Sequence, residues 1–173
     1  MICNVKDISN YQRITIVGSG GSGKSTLSRK LAAITGLPIT HLDMEFWRPN
    51  WERTPHDEWT EKQMGLIEHK QWIIDGNYNS TLELRFAAAD LVIFLDISRF
   101  VCLLRVLKRR NKKRTDFPSF LEEKLDWEFL KWIWNFPKNG KDTILRLHKE
   151  YPNKPFVVIR NKKELKKILE EFR

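Results

Sequence analysis

Cysteine is scarce in this chain of 173 residues, and Cys3 and Cys102 do not have the spacing of a metal-ligand set. Cys102 lies in an apolar stretch and reads as a packed thiol. No apolar run approaches the length of a membrane span, so a membrane partner is not expected. The N-terminus shows no signal-peptide apolar region, which leads to the expectation of a cytoplasmic protein. Internal repeats, low-complexity tracts and linkers are also missing, as is any helix-turn-helix or zinc-finger signature of a DNA reader. What remains is one soluble α/β domain spanning 1–173, with 41% hydrophobic and 31% charged residues. Acidic residues are outnumbered, 22 against 31 Lys and Arg, and the net charge of +9 suits polyanionic partners. Nucleotide phosphates and nucleic acid would satisfy it equally. Nothing in the sequence speaks to oligomeric state.

Against these absences stands one dense motif. Gly18-Ser19-Gly20-Gly21-Ser22-Gly23-Lys24-Ser25 fits the phosphate-binding loop pattern G-x-x-x-x-G-K-[ST], with Thr26 next. The run Ile14–Val17 precedes it as a strand, and a helical pattern follows, which is the context the motif requires. The glycines let successive backbone N–H groups point inward at a phosphate chain. The start of the following helix adds the positive end of its dipole. Lys24 would reach the β- and γ-phosphates of ATP, and the Ser25 hydroxyl would ligate Mg²⁺.

Apolar runs alternate with helical patterns, which predicts a doubly wound, parallel five-stranded sheet with helices on both faces. Strands are expected at Arg13–Val17, Ile39–Asp43, Trp72–Asp75, Leu91–Asp96 and Phe156–Arg160. Helices are expected at Lys24–Thr35, from a Thr54-Pro55 start to about His69, from a Ser80 capping box to Ala88, and from Ser98 to about Arg110. Three more should follow: one opened by a Ser119 capping box and ending near Phe136, then Lys141–Glu150 and Lys162–Phe172. A basic lid is expected at about 108–119, where the chain is polar and highly charged.

Two strands end in aspartate, Asp75 and Asp96, and either suits the carboxylate that Mg²⁺ on a phosphate loop needs. The turn Gly76-Asn77-Tyr78 beside Asp75 favours it for the metal, while a helix start at Ser98 makes Asp96 a structural cap. Asp43, at the end of the second strand, is positioned either to orient or deprotonate an acceptor hydroxyl or to cap a turn. Trp47 and Trp51, beside Arg48 and Arg53, would stack on a base or wall a small substrate, with arginine holding an anion; Trp59 reads as core. Arg105, Lys108, Arg109, Arg110, Lys112, Lys113 and Arg114 crowd one stretch without an acid. That is either a solvated basic or nucleic-acid-binding face or a lid. Arg105 and Arg109 share a helix face, and Arg114 follows in the loop, as a lid closing on ATP would need.

On the motif Gly18–Thr26, His41-Leu42-Asp43, Trp47–Trp51, Asp75–Tyr78, Arg105–Arg110 and Asp126–Trp134, the chain resembles the adenylate-kinase-like P-loop kinases. Within them it looks closest to the DNA topology modulation proteins. The resemblance implies that the third strand lies beside the phosphate-loop strand and that its terminal acid, Asp75, helps hold Mg²⁺. It implies lid arginines at Arg105, Arg109 and Arg114. It departs at Gly76-Asn77-Tyr78-Asn79, where adenylate kinases carry Gly-Phe-Pro-Arg and use the arginine for AMP. The expected function is ATP-dependent phosphoryl transfer to a small acceptor, a nucleoside or nucleotide being one class. Kinase action on a non-nucleotide metabolite and nucleotide-regulated DNA binding are the alternatives.

Overall fold

The computed structural model describes residues 7–109, 118 and 127–172. Five parallel strands form the sheet: β1 (Arg13–Gly18), β2 (Ile39–His41), β3 (Trp72–Asp75), β4 (Leu91–Leu95) and β5 (Phe156–Ile159). Their order is β2-β3-β1-β4-β5, so the chain winds outward from β1 in both directions. The register sets Ile14 between Ile73 and Leu91. Among the described residues the helices are α1 (Lys24–Thr35), α2 (Leu42–Phe46), α3 (His56–Glu68), α4 (Leu82–Ala88), α5 (Arg99–Lys108), α6 (Trp127–Asn135), α7 (Gly140–Glu150) and α8 (Lys162–Glu171). None is long and apolar enough to cross a membrane.

Alternation along the strands builds two cores. Ile14, Ile16, Ile73, Ile93 and Val157 pack against Leu27 and Leu31 of α1 and Ile168 of α8. Val17, Ile74, Val92 and Phe94 face the other way, onto Trp59 of α3, Phe86 of α4 and Leu147 of α7. Successive side chains of a strand point to opposite faces, so strands apolar at every position need helices on both sides. Each such large side chain, fully buried, contributes on the order of 2 kcal/mol before entropy is subtracted.

The expected sheet is present, with corrections at its ends. β2 stops at His41, and Asp43 lies in the first turn of α2 instead of closing the strand. The Ser80 capping box does not form; Asn79–Thr81 is a turn of 3-10 helix, and α4 starts at Leu82 without a side-chain cap bond. Thr54 does not cap α3, because its hydroxyl donates to the Phe46 carbonyl at 2.5 Å. Gly36, left-handed at φ 73°, ends α1 where expected. The Ser119 capping box and Arg110, Lys112, Lys113 and Arg114 of the expected lid lie outside the described residues.

Candidate active site

The carboxyl ends of β1, β3 and β2 meet at the phosphate-binding loop. The loop is held from outside by α5 and α6. At Gly21 the backbone has φ 76°, and a β-carbon would sit 2.5 Å from the Cys102 carbonyl oxygen. Only glycine allows both the left-handed turn and that approach. Lys24, the first residue of α1, folds back and donates from Nζ to the carbonyls of Gly18 and Ser19, each at 3.0 Å. Ser25 follows at the helix start, where the amide dipoles converge.

Lys24 has a lowered pKa, chiefly because it is buried. Asp43 and then Asp75 oppose this, and Arg109 adds to it. A consequence can be measured. Only protonated Lys24 pairs with phosphate, so ATP affinity should be full below the lowered pKa. It should fall as the pH rises through that value, before the 10.5 of ordinary lysine is reached. Lys24→Ala should weaken binding about tenfold or more at neutral pH and abolish this alkaline dependence. Calorimetric titration across the alkaline range checks both, and equal affinities in the two proteins would remove the loop assignment.

Asp75, only 4% exposed, ends β3 next to β1. Its Oδ2 accepts a hydrogen bond from Ser28 Oγ at 2.5 Å and lies 2.6 Å from His41 Nδ1. A buried carboxylate on the loop's floor and the Ser25 hydroxyl are hard oxygen donors, the chemistry Mg²⁺ takes when nucleotide phosphates and water complete its shell. Among the described residues no group of three or more His, Cys, Asp or Glu side chains forms a protein-only metal cage. Asp96 is engaged differently from the expected cap. Lys141 Nζ lies 2.8 Å from its Oδ2, Arg160 lies 4.0 Å away, and α5 starts at Ser98 without any side-chain cap bond.

Asp43 projects from α2, and its Oδ1 accepts a hydrogen bond from the Tyr78 hydroxyl at 2.7 Å. Around this pair runs a chain of aromatic contacts. Trp51 meets Trp47 at 5.3 Å between ring centroids, Trp47 meets Phe46 at 5.0 Å, and Phe46 meets Tyr78 at 4.6 Å. Trp59 is core, as expected. Arg48 pairs with Glu58 and so is not a ready anion grip. Arg105 donates from Nη1 to the Ser22 carbonyl at 3.0 Å and the Gly21 carbonyl at 3.4 Å. It thus rests on the outside of the loop, whereas Arg109 acts on Lys24. Cys102 is buried, and burial pushes its thiol pKa up. Arg85, which no sequence pattern singles out, is wholly buried beneath Gly76 and Asn77.

No protein-family model matches the chain, and no curated protein matches its sequence. Solved structures do match its fold. A shikimate kinase from Acinetobacter baumannii in complex with shikimate is similar at a TM-score of 0.64 and 14% identity, over 94% of this chain and 91% of that one. A gluconokinase from Sinorhizobium meliloti gives 0.55 and 16%, over 92% and 88%. A deoxyadenosine kinase from M. mycoides with bound dATP gives 0.52 and 16%, over 92% and 98%. At such identities the likeness is one of fold: the five-stranded parallel architecture of P-loop small-molecule kinases.

Proposed function

We propose that the protein transfers the γ-phosphoryl group of ATP to a hydroxyl of a small acceptor. One observation carries this reading: a complete phosphate-binding loop opens α1 in a fold shared with structures of a shikimate kinase and a gluconokinase. Asp43, in the first turn of α2 just past the end of β2, would be the base, at the sheet edge where α/β folds bind ligands. Gly18 to Thr26 would wrap the ATP phosphates, and Lys24 would leave its two carbonyl contacts to meet them. Ser25 and, through water, Asp75 would hold Mg²⁺, which would supply charge neutralisation at the phosphates. Asp43 would accept the proton as the acceptor oxygen bonds to the γ-phosphorus. The bond to the β-bridging oxygen breaks, and ADP leaves with its electron pair. Trp47 and Trp51 would wall the acceptor.

The fold neighbours named above act on shikimate, gluconate and deoxyadenosine, so the architecture serves both nucleoside and non-nucleotide acceptors. The narrower likeness to DNA topology modulation proteins rests on the sequence motifs. Of the basic run behind the DNA-binding alternative, Arg105 is turned onto the loop, which favours phosphate chemistry. Acceptor-dependent ADP release should be measured with nucleosides, nucleoside monophosphates, sugar acids and shikimate. The expected result is stimulation by one class. No stimulation across the panel, with tight duplex DNA binding at physiological salt, would overturn the reading in favour of DNA binding.

A further inference from the structure

We propose that Tyr78 is a positioning residue that holds Asp43 toward the acceptor by its hydroxyl, and that Arg85 locks the backbone from which Tyr78 projects. The inference rests on the kinase reading above. Three observations converge on it.

The first is the bond itself. The Tyr78 hydroxyl donates to Asp43 Oδ1 at 2.7 Å. A carboxylate on a five-residue helix has few means of keeping one rotamer, and a phenol fixed by packing supplies one. The Tyr78 ring is fixed in this way, with Phe46 at 4.6 Å and Trp59 at 5.0 Å between centroids.

The second is backbone strain. Tyr78 has φ 27° and ψ 74°, a conformation that bulky residues rarely adopt. Two residues earlier Gly76 has φ 145°, and a β-carbon there would lie 2.7 Å from Cβ of Leu42, the neighbour of Asp43. The loop is therefore pressed onto the start of α2 and then bent to aim Tyr78 at Asp43. Such strain persists only where the surroundings over-determine it.

The third is what over-determines it. Arg85 is 0% exposed, and its hydrogen bonds all end on neutral oxygens. Nη2 reaches the carbonyls of Asn77 at 3.0 Å and Gly76 at 3.4 Å; Nη1 reaches Gln63 Oε1 at 2.6 Å and Thr81 Oγ1 at 3.2 Å. Burying a guanidinium without a carboxylate is costly, and burial pulls its pKa down to about 9. A neutral side chain would fill the same space more cheaply. What the planar fork adds is a grip on two successive carbonyls immediately before Tyr78.

The test uses Tyr78→Phe, which keeps the ring and deletes one oxygen, with ATP and deoxyadenosine, shikimate or gluconate as acceptor. The quantity read is the ratio of phosphoryl transfer to acceptor-free ATP hydrolysis. It should fall about tenfold or more, through kcat and not through the KM for ATP. Arg85→Lys, which keeps the charge but not the fork, should show the same fall if it folds. An unchanged ratio in Tyr78→Phe overturns the proposal. A second measurement needs no acceptor. The phenol of Tyr78, read as the ultraviolet difference between wild type and Tyr78→Phe, should ionise at lower pH once Asp43→Asn removes the facing charge. If Asp43→Asn leaves that titration in place, the contact does not exist in solution, and the proposal fails even if the enzyme is a kinase. If the titration moves but no acceptor is phosphorylated, the kinase reading fails, and with it the role assigned to the contact.

Discussion

Asp75→Asn should lower Mg²⁺-dependent turnover by at least about a hundredfold while leaving metal-free ATP binding within about threefold of wild type. The substitution keeps the shape of the side chain and its capacity to accept from Ser28, but removes the charge that a hydrated Mg²⁺ requires. Asp96→Asn is the matched control. Its partners are Lys141 and Arg160, both partly exposed, so the loss is one of stability: about 1 kcal/mol, or a melting midpoint lower by about 3 °C. Turnover and calorimetric ATP binding with and without Mg²⁺ separate the two. An inactive Asp96→Asn beside an active Asp75→Asn would show that the metal carboxylate belongs to β4.

The choice between these two aspartates shows where a single sequence is informative. Their placement at strand ends follows from short apolar runs that stop at a charge, and the structure keeps both near those ends. The loop motif was legible because it is local: eight consecutive residues carry both the geometry and the chemistry. Asp43 is a candidate from the sequence alone, but it sits on a helix and not on the strand that the sequence predicts. A five-residue helix is too short to show a 3.6-residue period, so its first residues, Leu42 and Asp43, read as the end of the strand Ile39–Asp43. The partners of Asp96 lie far along the chain, and no periodicity links them. Arg85 was invisible for a related reason. On α4 it looks like a surface arginine following a capping box, and only the return of the 76–78 loop over that helix buries it. Sequence patterns report which face of an element is apolar. They do not report a charge buried because a distant backbone needs a clamp.

Arg109 and Arg105, alike in sequence and one helical turn apart, should separate in kinetics. Arg109 is among the charges that lower the pKa of Lys24, and as a lid arginine it would face the phosphates. There a cation counts most while charge redistributes over the moving phosphoryl. Arg109→Ala should therefore lower kcat by about a hundredfold or more and change the Kd for ATP by only a few-fold. Arg105 bonds the outer carbonyls of Gly21 and Ser22, and nothing places it against the reacting group. It braces the loop in the shape that receives phosphate, a contribution equal in ground and transition states. Arg105→Ala should weaken ATP binding by roughly tenfold with a smaller change in kcat, the signature of uniform binding. Single-turnover kinetics alongside equilibrium titration give both quantities for each variant. A kcat collapse in Arg105→Ala with unaltered affinity would mean that its guanidinium leaves the loop carbonyls for the transferring phosphate. If neither variant affects ATP but both flatten the salt dependence of duplex DNA binding, by about one slope unit per lost contact, the helix is a nucleic-acid face instead. The bonds of Arg105 to the Gly21 and Ser22 carbonyls argue against that outcome, since they turn a cation of this helix onto the phosphate-binding loop.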